Sequence, residues 1–331
     1  MLMGKVWSFI GLAVLVAIVA PSSYASRSET NRQNGFRWGS KTLLPHQPPP
    51  FFAGNRRPEG LPGISRGKEI QQTLPTDTNG TDPYFVSLFD PERNIPFYSA
   101  YKVTPRQAQL IGTYSRKDVK KRWRNPPGVP GLDAAYRKAI KQEPLSRGHM
   151  DPLAINSFDK RFMKATYTLT NVVPQYVASN SGPWQIFEAK IRSYAQNVCG
   201  NRTRQGTLYL LTGTSEFSLK SDLGRKSVQD SSKELSYATM LLDELTLVVP
   251  RAVWTAGCCV WKETSQEFGK VRRAESFAVM SNNVRDKKFL NQTQMSVVKL
   301  ERHLTAPGSS SVNLFPGDRN CRLPQNNVEL P

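Results

Sequence analysis

Acidic side chains are scarce in this chain. It carries 26 Asp and Glu against 45 Lys and Arg, a formal net charge of +19 over 331 residues. Such a surface field repels cationic partners and draws polyanions, whether nucleic acid, acidic glycan or a membrane surface. A basic extracellular protein without a specific anion would have the same balance. Histidine is scarcer still: there are three, none paired at metal-ligand spacing, and no Cys-X-X-Cys occurs. A structural zinc site is therefore not expected. No internal repeat is present, which excludes solenoid and propeller architectures. Beyond one run near the N-terminus, no apolar stretch could span a bilayer, so no stable membrane association is expected once that run is removed. What is present suffices for a core: 38% of residues are hydrophobic and 10% aromatic, enough for one large domain or two modest ones.

The N-terminal run, "VWSFIGLAVLVAIVA", is 15 uncharged residues following Lys5. It is short for a membrane span. "PSSYAS" follows, with Ser23 and Ala25 at the small-residue positions of a cleavage site. Residues 1–25 therefore read as a secretory signal, and the chain is expected to be extracellular. Sequons at Asn79, Asn201 and Asn291 agree with secretion and would be glycosylated. The four cysteines, Cys199, Cys258, Cys259 and Cys321, suggest two disulfides in an oxidising compartment. Cys258 and Cys259 are disfavoured as partners of each other by ring strain. Two connectivities then link that pair to Cys199 and Cys321.

Residues 26–68, rich in Pro and Gly and without period, are expected to be unstructured. An ordered domain is expected over 69–300, with 301–331 a tail tied by Cys321. "YFVSLFD" and "IPFYSAYKV" read as strands about a "PERN" turn. A basic loop follows, with six Lys or Arg between Arg116 and Arg124 around Trp123. It is either a solvated charged loop or a phosphate-tracking edge with one stacking aromatic. "ATYTLTNVV" (165–173) alternates like a strand. Residues 181–198 read as a helix, with Ser181 as cap, Pro183 in the first turn, and Trp184, Phe187, Ile191, Tyr194 and Val198 on one apolar stripe. "SKELSYATMLLDEL" leans to a short helix. Strands are expected at 206–213, 245–261 (broken at Pro250) and 275–281. The class is α+β with a mostly antiparallel sheet.

Taken singly, the polar residues of this helix are unremarkable. Asn180 could be a cap, and Glu188 with Arg192 a surface ion pair of little worth. Their order along the chain says more. "SRGHM" (146–150), then "TNVVPQ" (170–175), then "NSGPWQIFE" (180–188) and Arg192 resemble the signature of the DNA/RNA non-specific endonucleases. These are the ββα-metal, or His-Me finger, nucleases, and animal endonuclease domain-containing proteins are the nearest likeness. The resemblance covers roughly residues 70–285. It implies a ββα-metal fold and sugar-non-specific hydrolysis of DNA and RNA phosphodiesters. It further implies His149 as general base and Asn180 as the direct ligand of Mg²⁺, with Mn²⁺ able to substitute. Glu188 would hold metal-bound waters, and Arg147 and Arg192 would face the phosphate. Asn171 and Gln175 would lock the loop geometry, and Arg122 or Arg124 would add a phosphate contact. The family's usual Asp is Ser146 here, which keeps an acceptor but loses the charge; Ser also occurs at this place in the endo/exonuclease G branch. An alternative is a nuclease-fold matrix or polyanion-binding protein with weakened turnover.

Overall fold

Alternating burial builds the first layer. The computed structural model describes residues 50–78, 80–219, 238–242, 245–265, 267 and 269–331. The leader, residues 26–49 and the sequon Asn79 lie outside the described residues. Strand β1 (Lys68–Gln72) leads to β2 (Phe85–Asp90) and β3 (Ile95–Val103). The turn between β2 and β3 is closed by Asn94 at φ 56°, a left-handed conformation that Asn tolerates. Helix α1 (Pro105–Leu110) starts at a capping box made by Thr104 and Gln107. Next come α2 (Leu132–Gln142), β4 (Leu145–His149), α3 (Lys160–Ala165), β5 (Val172–Tyr176), the single turn α4 (Val177–Ser179) and α5 (Gln185–Tyr194). The chain ends with β6 (Thr207–Ser215), β7 (Ala238–Leu242), β8 (Leu245–Val249), β9 (Ala252–Ser265), β10 (Gly269–Asn282), β11 (Gln292–Met295) and α6 (Val297–Leu304).

Seven strands form one sheet in the order β1-β2-β3-β6-β9-β10-β11, and each neighbouring pair is antiparallel. Successive side chains point to opposite faces, so one sheet serves two cores. Phe85, Tyr101, Leu210, Val253 and Phe277 meet Trp184, Ile191 and Tyr194 of the helical run on one face. Val86, Tyr98, Trp254 and Met280 meet Leu300, Leu304, Phe315 and Phe51 on the other. Burying a side chain such as Phe277 or Leu300 contributes about 1.5–3 kcal/mol.

The same alternation selects the disulfides. Cys258 and Cys259 are neighbours on β9, so they face opposite layers. Cys259 bonds Cys199 at the end of the helical run, and Cys258 bonds Cys321 in the C-terminal segment. Each layer is thereby tied covalently to the central sheet.

Several expectations need correction. Residues 50–68 are ordered: Phe51, Phe52, Ala53 and Leu61 are buried in the second core, and Glu59 bridges to Asn313. A boundary at 300 would cut α6, and Val312, Leu314, Phe315 and Cys321 are buried in that same core. The stretch expected as helix before β8 contains β7, whose backbone pairs with β8 from Ala238↔Val249 to Leu242↔Leu245. So short a segment gains little as an isolated helix, and a strand partner outweighs its propensity. In 165–173 only Val172 and Val173 are strand. Ala165 closes α3, and Leu169–Asn171 is a 3-10 turn. Here side chains take over backbone bonding: Thr166 Oγ1 donates to Met163 O, and Asn171 Nδ2 donates to Thr166 O. Ser181 makes no capping bond. The helical run begins earlier, at Val177, and passes through a π turn at Asn180–Trp184 before α5.

Candidate active site

Strands β4 and β5 form a two-stranded hairpin beside the main sheet, with Ser146 opposite Gln175, Arg147 opposite Pro174, and Gly148 opposite Val173. Gly148 is required by close approach, since a Cβ there would lie 2.1 Å from Gln175 Oε1. Asn171 pins the loop after the motif. Its Oδ1 accepts from Ser99 Oγ on β3 (2.9 Å) and from the Asp151 amide (2.8 Å), while its Nδ2 donates to Asp151 O (3.0 Å). Fully buried, it joins the hairpin to the central sheet as a side chain that replaces ladder bonds. Gln175 is equally buried, behind Gly148.

The chain then turns into α4, the π turn and α5, completing a β-β-α unit. This unit walls a cavity of about 980 Å³ lined by Ser146, Arg147, His149, Asn180, Gln185, Glu188 and Arg192. The residues anticipated for chemistry are therefore brought together. Asn180 Nδ2 donates to Ser146 Oγ (2.9 Å), and Ser146 Oγ donates to Gln175 O (2.9 Å). Ser146 thus orients the Asn180 carboxamide without supplying a charge. Glu188 follows Asn180 along the helical run, and burial pushes its carboxyl up to about 7 against the opposing Arg192 charge.

His149 sits among aromatic rings. Its centroid lies 5.4 Å from Trp123 and 5.8 Å from Tyr167, and Nε2 has no hydrogen-bond partner. Burial, then the charges of Arg116 and Lys121, push the imidazole down to about 4. It is therefore neutral, a lone-pair acceptor, across the physiological range. Arg147 is held by Asp133 (2.7 Å), with its guanidinium 5.0 Å from the Trp123 ring.

The two arginines proposed beside Trp123 go elsewhere. Arg124 donates to Lys164 O (2.9 Å) and Ala165 O (2.8 Å), closing the carbonyl end of α3. Arg122 is exposed and outside the cavity lining. From the same basic run, Arg116 and Lys121 line the cavity instead. The run was the available signal; which members face inward depends on how the loop folds. Asp133 and the buried Asp151, whose carboxyl burial raises well above its usual range, were also missed. At the sequons, Asn201 Nδ2 donates to Asn197 O (3.1 Å), and Asn291 lies just before β11. Among the described residues, no helix is long and apolar enough to cross a membrane.

An antiparallel hairpin carrying the Arg-Gly-His motif, followed by a helix carrying Asn and Glu over a shared cavity, defines a nuclease fold of the ββα-metal class. The chain belongs to the DNA/RNA non-specific endonuclease family, which it matches over residues 66–313. Among curated proteins it is similar to "Nuclease EXOG, mitochondrial" of Danio rerio, 27% identical over 194 residues, covering 59% of this chain and 50% of that one. The human protein of the same name is 28% identical over 108 residues, covering 33% of this chain and 28% of its own length. The chain thus spans about half the length, or less, of these curated relatives. A chain in the crystal structure of the EndoG/EndoGI complex superposes with a TM-score of 0.50 at 16% identity, covering 73% of this chain and 87% of that one. That likeness concerns the fold alone.

The family is divalent-metal dependent. The donors here fit a hard, hydrated cation: one carboxamide oriented by Ser146 and one carboxylate, with no cluster of three or more His, Cys, Asp or Glu among the described residues. Mg²⁺ keeps most of its water and takes few protein oxygens, so a sparse all-oxygen set suits it better than zinc.

Proposed function

We propose that this chain hydrolyses the phosphodiester bonds of DNA and RNA with little sequence specificity. The observation that carries this reading is the convergence of His149, Asn180 and Glu188 on one basic cavity. The neutral imidazole accepts the proton of the attacking water. Its depressed proton affinity comes partly from Arg116 and Lys121. A bound phosphodiester neutralises those charges, so His149 becomes a stronger base when substrate is in place. Arg147 and Arg192 face the non-bridging oxygens, where charge grows in the transition state. Asn180 would hold Mg²⁺, or Mn²⁺ in its place, and Glu188 would orient its waters. An ion held there would supply charge compensation at the phosphate and, by acidifying water bound to it, a proton source for the leaving oxygen. Attack by water needs no 2′-hydroxyl, so both sugars qualify. Ser146 keeps the contacts that place Asn180, which favours an active enzyme over a weakened polyanion-binding protein.

Secretion belongs to the same proposal. Support comes from the apolar leader and the sequons, and from two disulfides that suit an oxidising compartment. The test is incubation of the mature protein with plasmid and with RNA, in Mg²⁺ or in chelator, beside His149→Ala. Metal-dependent loss of both substrates that vanishes in the variant supports the enzyme. Retention of nucleic acid without cleavage in Mg²⁺ or Mn²⁺ supports the binding protein.

A further inference from the structure

We propose that Trp123 is a positioning residue for this hydrolysis: with Tyr167 it holds the His149 imidazole by ring packing and shields its Nε2 edge from water. The inference rests on the reading of His149 as the base.

The three rings contact one another, with centroids 5.4 Å (Trp123–His149), 5.2 Å (Trp123–Tyr167) and 5.8 Å (His149–Tyr167) apart. Trp123 Nε1, Tyr167 OH and His149 Nε2 are all buried and all without a hydrogen-bond partner. The rings therefore grip one another through dispersion and quadrupole contacts. A working histidine is commonly oriented by a hydrogen bond to one ring nitrogen. Here packing does that work around the buried Nε2, and the proton of the attacking water is left to the other ring nitrogen, Nδ1.

Trp123 is suited to the task because it is itself fixed from two directions. Its ring lies 5.0 Å from the Arg147 guanidinium, and Arg147 is anchored on Asp133 at 2.7 Å. Next along the chain, the Arg124 amide donates to Tyr167 O (3.2 Å), and Arg124 O accepts from the Leu169 amide (2.9 Å). The Arg124 guanidinium closes the end of α3. Arg124 thus clamps the Trp123 segment to the turn that carries Tyr167. The basic loop contributes a wall to the base. The charged and titratable groups facing His149 are Arg116 and Lys121 from that loop, Arg147 from β4 and the Tyr167 phenol.

The test uses the full mature protein and reads two quantities. First, the His149 titration is followed by NMR without metal or nucleic acid; the signal is assigned by its loss in His149→Ala, among three histidines. Trp123→Leu should move the midpoint up by about one pH unit or more as water reaches the ring. Second, Trp123→Leu should lower kcat about tenfold or more with KM changed by less than about threefold, because a misplaced base loses rate without losing substrate contacts. Trp123→Phe should bring kcat back to within about threefold of the parent, since a ring remains. An unmoved midpoint with unchanged kcat overturns the proposal. So does a raised KM with preserved kcat, which would make Trp123 a substrate contact. Should Trp123→Leu not fold, Tyr167→Leu removes the other wall and the same two outcomes decide. The titration needs no turnover, so an inactive parent protein would sink the nuclease reading while the positioning role is still read directly.

Discussion

Glu301 and Glu188 are both carboxylates whose proton affinity burial pushes up, and the fold compensates them unequally. Glu301, on α6 behind the main sheet, accepts from the Leu314 amide (2.8 Å) and from Arg322 Nε (2.9 Å) and Nη2 (2.8 Å). Glu188, on α5 at the cavity, is opposed mainly by the Arg192 charge, and its proton affinity rises to about 7. The contrast extends to their surroundings. Behind the sheet, Asp318 is paired with Arg272, and Cys258 with Cys321. At the cavity, Trp123, Arg147, His149 and Tyr167 each keep a buried polar atom without a partner. Satisfied polar atoms stabilise the fold. Unsatisfied ones cost stability; a few lie elsewhere, such as Asn313 Oδ1 behind the sheet, but the four at the cavity stand where a ligand or a reaction can use them.

If that division is right, substitutions in the two regions should separate activity from stability. The largest effect belongs to His149→Ala, which should lower kcat/KM by about a hundred- to ten-thousand-fold while leaving thermal unfolding nearly unchanged. Plasmid cleavage beside a melting curve reads both.

Glu188→Gln should lower cleavage by about a hundredfold and yet raise stability at high pH. The folded proton affinity, about 7, exceeds the unfolded value of 4.5, so the fold prefers the protonated acid. Its stabilising contribution is full below about pH 4.5 and is lost as pH rises through 7. Gln mimics the protonated form. In chelator the variant should gain about 1–2 kcal/mol at pH 8, allowing for partial exposure, and nothing at pH 4. An equal gain at both pH values would remove the buried charge from the account.

Behind the sheet the signs should reverse. Arg322→Met leaves Glu301 without its charged partner and should cost about 2–3 kcal/mol by denaturant titration. Activity per folded molecule should stay the same. A selective loss of kcat would break the separation.

The smallest effects sharpen the boundary of the cavity. Arg116→Gln or Lys121→Gln should raise KM several-fold and reduce the salt dependence of binding by about one in slope, while Arg122→Gln changes either by less than about twofold.

These contrasts also mark what the sequence could disclose. Order and spacing along the chain were legible: Arg147-Gly148-His149, Asn171, Gln175, Asn180 and Glu188 lie on successive elements of one β-β-α unit, and that unit brings them together. The apolar stripe from Trp184 to Val198 and most sheet strands were legible for the same reason, since periodicity reports local geometry. What escaped depends on tertiary partners. A β-hairpin partner turned residues 238–242 from expected helix to strand. Thr166 and Asn171 side chains replaced the ladder expected at 165–171. Arg124 looked like a phosphate ligand until the end of α3 was placed against it. Residues 50–61 and 312–321 carry no period, yet the back of the sheet is incomplete without them.

The most direct measurement is the position of a divalent ion in crystals of the mature protein soaked in Mn²⁺, located by anomalous scattering. The account predicts one strong site inside the cavity, with Asn180 Oδ1 about 2.1–2.2 Å from the ion and the remaining ligands mostly water. That site should disappear in Asn180→Ala. An ion bound elsewhere, or one that keeps its place without Asn180, would contradict it.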